Sequence, residues 1–155
     1  MKENLIKKNI KSERRTKESK KIGRAGEDFV YDQEIKKLKN KPELAKLVRK
    51  HYELNEFPGF DITSYDLDGN EIFIEVKSTK MKSMTSFEIT ENEYQAAEKY
   101  KEKYNIYMVL NATKEIASLK NKRTIIKLNN PSNLLKNGTI KISPSVFSID
   151  LKKHT

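Results

Sequence analysis

The spacing of apolar positions changes near residue 58. Before it, apolar residues recur at helical intervals; after it, they alternate with polar ones or run unbroken. Residues 25–39 contain no proline and no interior β-branched run, and predict a helix with Ala25, Phe29 and Val30 inward. Pro42 suits the opening of a second helix, Glu43 to about Leu54, with Leu44, Leu47, Val48 and Tyr52 on one side. Pro58-Gly59 breaks the chain. Phe60–Leu67 and Glu71–Ser78 then read as two strands around Asp68-Gly69-Asn70, a hairpin signal. Residues 79–85 are polar and basic and predict a loop, followed by a short strand at Ser86–Ile89. Thr90 with Glu93 forms a capping box and starts a helix to about Tyr104. Ile106–Leu110 is an unbroken apolar run, hence a buried strand. Arg123–Leu128 predicts a further strand, Pro131–Leu135 a short helix or turn, and Asn137-Gly138 a last strand pair near Ile140–Ile142 and Val146–Ile149. The pattern predicts one α/β domain over residues 23–155, preceded by a basic N-terminal arm, 1–22, that is mobile or loosely helical.

The hairpin turn decides which side chains share a face. In the strand Glu71–Ser78, Ile72, Ile74 and Val76 should face the core, and Phe73, Glu75 and Lys77 the opposite side. A two-residue loop would put Asp61 and Glu75 on opposite faces. A three-residue loop, Leu67-Asp68-Gly69, with Gly69 in the left-handed conformation, sets Asp61 directly across from Glu75. Asp66 and Gly69 suit the ends of that type I turn, so the second register is expected.

Charge adds a second layer. The 155 residues carry 32 Lys and Arg against 22 Asp and Glu, a net charge of +10. Residues 1–24 hold +7, residues 114–155 hold +7, and residues 25–113 hold −4. Basic ends suit a polyanion, although a Lys-rich, Asn-rich chain also follows from genome base composition. No run of about 18 apolar residues is present to span a bilayer, and no signal peptide is visible, so a cytoplasmic protein is expected. The absence of cysteine excludes disulfides, thiolate zinc sites and a cysteine nucleophile. Only His51 and His154 are present, and His51, in a Lys-rich stretch, reads as a surface residue. No Gly-rich phosphate loop exists, so ATP is not an expected ligand.

Carboxylates and lysine therefore carry any chemistry. With 16 Glu and 27 Lys, chance yields roughly three Glu-x-Lys spacings. Three occur, at Glu18/Lys20, Glu34/Lys36 and Glu75/Lys77, and only the last closes an apolar strand. Two carboxylates directly opposite repel across a strand pair; a divalent cation held by oxygen ligands, Mg²⁺ or Mn²⁺, reverses that. Asp61, Glu75 and Lys77 together fit metal-assisted phosphodiester hydrolysis. A plain surface ion pair between Glu75 and Lys77 fits the same residues.

The stretch Gly59-Phe60-Asp61-Ile62 through Ile74-Glu75-Val76-Lys77-Ser78-Thr79 resembles the core of a PD-(D/E)XK, or restriction-endonuclease-like, nuclease domain. More narrowly it is similar to the C-terminal domain of the plant protein NO VEIN, which recurs in bacterial restriction and helicase-associated proteins. Gly23-Arg24-Ala25-Gly26-Glu27, Thr90-Glu91-Asn92-Glu93-Tyr94, Tyr104 and Ile106–Leu110 extend the likeness over about residues 23–150. The resemblance implies a mixed β-sheet flanked by helices and Mg²⁺-dependent DNA cleavage, with Mn²⁺ as a substitute, in restriction, defence or repair. It implies Asp61 and Glu75 as metal ligands, aided by the Val76 carbonyl, Lys77 orienting the attacking water, and Glu27 as an auxiliary ligand. Glu27 also reads as a helix-start carboxylate favoured by the helix dipole. Arg24, Lys80 and Lys82 are candidates for DNA contact, the two lysines equally readable as a solvated loop. Gln95 is a further candidate, although four residues separate it from Tyr100, a departure from the superfamily spacing.

Tyr94, Tyr100, Tyr104 and Tyr107 suit core packing better than base stacking. Two other functions stay open: a catalytically silent nucleic-acid-binding or scaffolding module that recruits a helicase or modification enzyme, and a structural subunit binding an acidic protein. A monomer has one site and cuts one strand at a time, so a homodimer is an expectation only if the protein makes double-strand breaks.

Overall fold

The structure, a computed structural model, describes residues 2–113 and 122–145, with side chains described from residue 16 onward. Its elements are α1 (Lys2–Lys37), α2 (Pro42–Ala45), β1 (Arg49–Lys50), β2 (Ile62–Tyr65), β3 (Glu71–Ser78), α3 (Glu91–Tyr100), β4 (Tyr104–Leu110), β5 (Thr124–Asn129) and α4 (Pro131–Lys136). The strands form one mixed sheet in the order β1-β2-β3-β4-β5. Only β3 and β4 run parallel. A parallel neighbour requires a crossover, and the segment that crosses carries α3. The architecture is thus a five-stranded mixed α/β sheet packed against helices. Among the described residues, no helix is long and apolar enough to cross a membrane.

Both sheet faces are covered. On one side, α1 lays Gly26, Val30 and Glu34 against the sheet, and Leu38, just past its end, continues the same four-residue spacing. Val30 and Leu38 join Ile62, Ile74, Val76, Tyr107 and Val109 in the first core cluster. Glu34 is buried too: it accepts a hydrogen bond from Ser64 Oγ at 2.6 Å and pairs with Lys37. On the other side, Ala96 and Ala97 of α3 pack with Phe60, Phe73, Tyr104, Ile106 and Met108 in a second cluster. β3 therefore has no solvent face: its even positions meet α1, and Phe73 meets α3.

The predicted register is the observed one. Ile62 pairs with Ile74, Thr63 with Phe73 and Tyr65 with Glu71. Gly69 sits at φ +91°, and Gly69 N donates to Asp66 O. The Asp66 carboxylate accepts hydrogen bonds from the backbone N–H groups of Asp68 and Asn70, closing the three-residue loop.

The arm, expected as mobile or loosely helical, continues into the first helix as α1, which runs unbroken through Gly23 and Gly26, while four other sequence expectations fail. A glycine costs about 1 kcal/mol in a helix interior relative to Ala, but Gly26 is where α1 comes closest to β3, and a Cβ there would meet Ser78 Oγ at 1.8 Å. The expected long helix after Pro42 is a single turn. Arg49 and Lys50 instead pair with Thr63 and Ile62 as an edge strand. That leaves Leu47 and Tyr52, expected inward, about half exposed. Ser86–Ile89 is not a strand; Phe87 packs against the second cluster from a loop. Residues 140–142 form no strand, and the expected partner 146–149 lies outside the described residues. His51, expected at the surface, is 4 % exposed.

The two helix glycines separate packing from propensity. Gly26→Ala is expected to destabilise the fold by about 1–3 kcal/mol through the clash with Ser78. Gly23→Ala, which meets nothing within 4 Å, is expected to stabilise it by up to about 1 kcal/mol. Urea denaturation of both variants beside the wild type reads the opposite signs.

Candidate active site

Asp61 is held from three directions. Its N–H donates to Ile74 O and its carbonyl accepts from His51 N, each at 2.9 Å, so the backbone is tied to β3 on one side and to the residue following β1 on the other. Its Oδ2 accepts from Val76 N at 2.7 Å. The ladder ends at Ile62 and Ile74, and just beyond it the Asp61 side chain lies near Glu75, whose carboxylate its charge affects.

Glu75 lies on the α3 face of β3 with a side chain only 7 % exposed. Lys77, two residues on and so on the same face, places Nζ 2.8 Å from Glu75 Oε1 and 2.7 Å from Glu93 Oε2. Glu93 is also the third residue of α3. It accepts from Thr90 N at 3.0 Å while Thr90 Oγ1 accepts from Glu93 N, the reciprocal capping box. One carboxylate thus starts a helix and anchors the site lysine. The sequence showed its first role and concealed its second.

A cleft of about 280 Å³ opens over this cluster, lined by Glu27, Asp61, Glu75 and Glu93 among others. Glu27 projects from α1, whose basic start, with Lys17, Lys20, Lys21 and Arg24 exposed, precedes it.

Burial shapes the protonation of the cluster. It pushes Glu75 up to about 9, helped by the opposing Asp61 charge and restrained by Lys77. It raises Asp61 as well, against the lowering effects of the Val76 N–H and of Lys77. Glu27 rises to about 7 through burial and Asp61, with Arg24 acting the other way. Burial disfavours the Lys77 ammonium, but Glu75 and Glu93 outweigh it and hold its pKa above the ordinary lysine value. The site is short of positive charge: Lys77 is shared by two carboxylates while Asp61 and Glu27 add to the repulsion.

The other sequence candidates stand apart. Lys80 pairs with Glu18 at 2.7 Å, both half-exposed, and Lys82 is exposed. Gln95 donates to Glu91 Oε1 on the exposed side of α3 and does not line the cleft. Arg24 lies over the Tyr52 ring, 3.2 Å from its centroid. Tyr100 and Tyr104 pack against Phe60, and Tyr104 Oη donates to Gly59 O at 2.8 Å. Tyr107 belongs to the first core cluster.

His51 and Glu93 are the residues that sequence reasoning missed. His51 Nδ1 lies 2.6 Å from Glu56 Oε2 and Nε2 lies 2.8 Å from Thr63 Oγ1, and its ring meets Phe60 edge-on. It links the edge strand, the hairpin and the loop 52–57. No sequence signal marks that role, which arises only once β1 pairs with β2.

The raised carboxylate pKa values have a defined linkage. The folded state holds a proton on Glu75 between the ordinary value of 4.5 and about 9. The unfolded chain releases that proton above 4.5, so this contribution to stability is complete below that value and is lost as pH rises to about 9. Glu27 adds the same sign up to about 7. In the absence of divalent cations, the melting temperature is expected to fall from about pH 5 to about pH 9, and Glu75→Gln to flatten that slope. Calorimetry across the pH series checks both.

A family model described as the C-terminal domain of protein NO VEIN matches residues 26–122. Neither a search of curated proteins nor one of solved structures finds a match. The matched stretch covers more than half of the 155 residues. It begins at Gly26, where α1 meets β3, includes Glu27, Asp61, Glu75, Lys77 and Glu93, and ends just before β5. The chain belongs to the family of the protein NO VEIN C-terminal domain.

Proposed function

We propose that this protein is a metal-dependent nuclease that hydrolyses DNA phosphodiesters, with a site of the PD-(D/E)XK type. The observation that carries this reading is the hairpin register. It brings Asp61 near Glu75, with the Lys77 ammonium 2.8 Å from Glu75, in an open cleft. Neighbouring carboxylates that both resist ionisation are a donor set for a hard divalent cation. Among the described residues, no group of three or more His, Cys, Asp or Glu side chains could hold a metal by itself. Two carboxylates nevertheless suit Mg²⁺, which keeps several waters and takes further oxygens from phosphate. Asp61 and Glu75 would hold it, with the Val76 carbonyl adjacent. The metal would supply Lewis acidity toward a phosphate oxygen and a more acidic water.

The chain's own residues divide the remaining work. Lys77 offsets charge building on the phosphate and positions the attacking water. Glu93 holds the Lys77 ammonium at 2.7 Å and, with Glu75, favours its charged form. Glu27, with a pKa near neutrality, accepts or holds a proton at the cleft wall. Arg24 and the exposed lysines of α1 attract the phosphate backbone.

A specific feature favours a second reading. Lys77 is fully engaged by Glu75 and Glu93, the arrangement of a closed ion cluster, and a non-cleaving nucleic-acid module that recruits a helicase or modification enzyme could retain it.

A plasmid-nicking assay with Mg²⁺ or Mn²⁺ separates the two. Wild type is expected to nick, and Asp61→Asn, Glu75→Ala and Lys77→Ala to lose about 100-fold or more. Tight binding without metal-dependent cutting on duplex, branched and single-stranded DNA would establish the silent module. Independently of activity, millimolar Mg²⁺ is expected to raise the melting temperature of wild type and not of Glu75→Gln. DNA affinity should depend on Mg²⁺ as well as on salt.

A further inference from the structure

Two aromatic rings that line the cleft belong to neither core cluster. Phe57 is 74 % exposed and Tyr52 51 %. Both line the same cleft as Asp61 and Glu75. Exposed rings gathered at one place on a folded chain mark a contact surface.

Their backbone is firmly set. Leu54 N and Glu56 N both donate to His51 O at 3.0 Å, and Asn55 takes a left-handed conformation at φ 54°. The His51 ring is bound to Glu56, and Phe57 O accepts from Asn92 Nδ2 of α3 at 2.9 Å. The loop therefore holds two large side chains out on a fixed frame, and not because the frame is loose.

Charge shows what they face. The Arg24 guanidinium lies 3.2 Å from the Tyr52 ring centroid, and the exposed lysines of α1 continue from it. A cation stacked on an aromatic ring beside a basic helix suits a ligand that is both planar and anionic. The cleft, at about 280 Å³, falls near the lower end of small-ligand pockets, about 300–1000 Å³. That is room for about one nucleotide beside the carboxylates. In a duplex the base faces are covered by their neighbours, so exposed rings gain from stacking only on bases that have left the stack.

We infer that Tyr52 and Phe57 form a stacking platform for the bases of an unpaired nucleic-acid strand, with Arg24 contacting its phosphates at the entrance to the carboxylate cleft. This rests on the nucleic-acid reading above and adds to it a preference for single-stranded, frayed or flapped substrates over intact duplex.

The test uses the full chain in EDTA, so that binding is read without cleavage. A fluorescein-labelled oligothymidylate, an oligouridylate and a duplex of the same length are titrated by anisotropy. Tyr52→Ala and Phe57→Ala are each expected to weaken single-strand binding about tenfold and duplex binding less than twofold, with Tyr52→Phe restoring wild-type affinity. The oligothymidylate and oligouridylate arms report whether the strand is DNA or RNA. Because the chain has no tryptophan, Phe57→Trp installs a single reporter, whose fluorescence should be quenched as bases stack on it. Unchanged single-strand affinity in both alanine variants, or equal losses on single strand and duplex, would overturn the platform. If Glu75→Ala and Lys77→Ala abolish cutting at the same time, the nuclease reading stands without it. No binding to any nucleic acid overturns both. Self-association of wild type that Phe57→Ala abolishes, read by sedimentation, would assign the rings to a protein contact and overturn the platform.

Discussion

A carboxylate buried in a strand with no solvent face is the constraint around which this domain is arranged. β3 is covered by α1 on its even side and by α3 on its odd side, so Glu75 has little access to water. Ionising it unaided would be costly. Strand geometry places Lys77 on the same face two residues later, and Glu75 together with Glu93 holds the Lys77 ammonium charged against its burial. The first turn of α3 is fixed against β3 by that pairing as much as by its apolar contacts. Fold and site are therefore one system.

Asp61 shows how the edge of the sheet serves its centre. Its backbone is bonded to the β1 end on one side and to β3 on the other, and its side chain caps the Val76 N–H. Backbone pairing of Arg49 and Lys50 with β2 brings His51 into the interior. His51 then organises the loop that carries Tyr52 and Phe57. Two residues of edge strand thus determine both the rigidity of a candidate metal ligand and the placement of the exposed rings. On the opposite face, Gly26 lets α1 approach β3 closely enough for Glu27 to feel the Asp61 charge.

Family membership and activity rest on different grounds. The family match covers the stretch that builds the cleft. The proposed chemistry rests on the site's own donors: two neighbouring carboxylates, a shared ammonium and a deficit of positive charge. A deficit of that kind is costly for a merely structural ion pair and useful in a site that receives a cation.

Local chemistry made much of this legible in the sequence. Asp66 and Gly69 dictate a three-residue turn, and turn length alone fixes which side chains face each other across a hairpin. The register, and with it the meeting of Asp61 and Glu75, was therefore readable. So were the capping box at Thr90 and the buried strand near Ile106, because a side chain two or three residues from its partner encodes the geometry by itself. Edge pairing was not readable: Arg49 and Lys50 look helical until an unpaired β2 edge offers them hydrogen bonds, and only that contact buries His51. Gly26 and Glu34 looked like ordinary helix positions until β3 and Ser64 were placed against them. Glu93 read as a cap until Lys77 arrived from a strand 16 residues away. What the sequence determined alone was whatever depends on neighbours along the chain; the tertiary structure decided whatever depends on which buried charge or unpaired backbone edge is brought alongside from elsewhere.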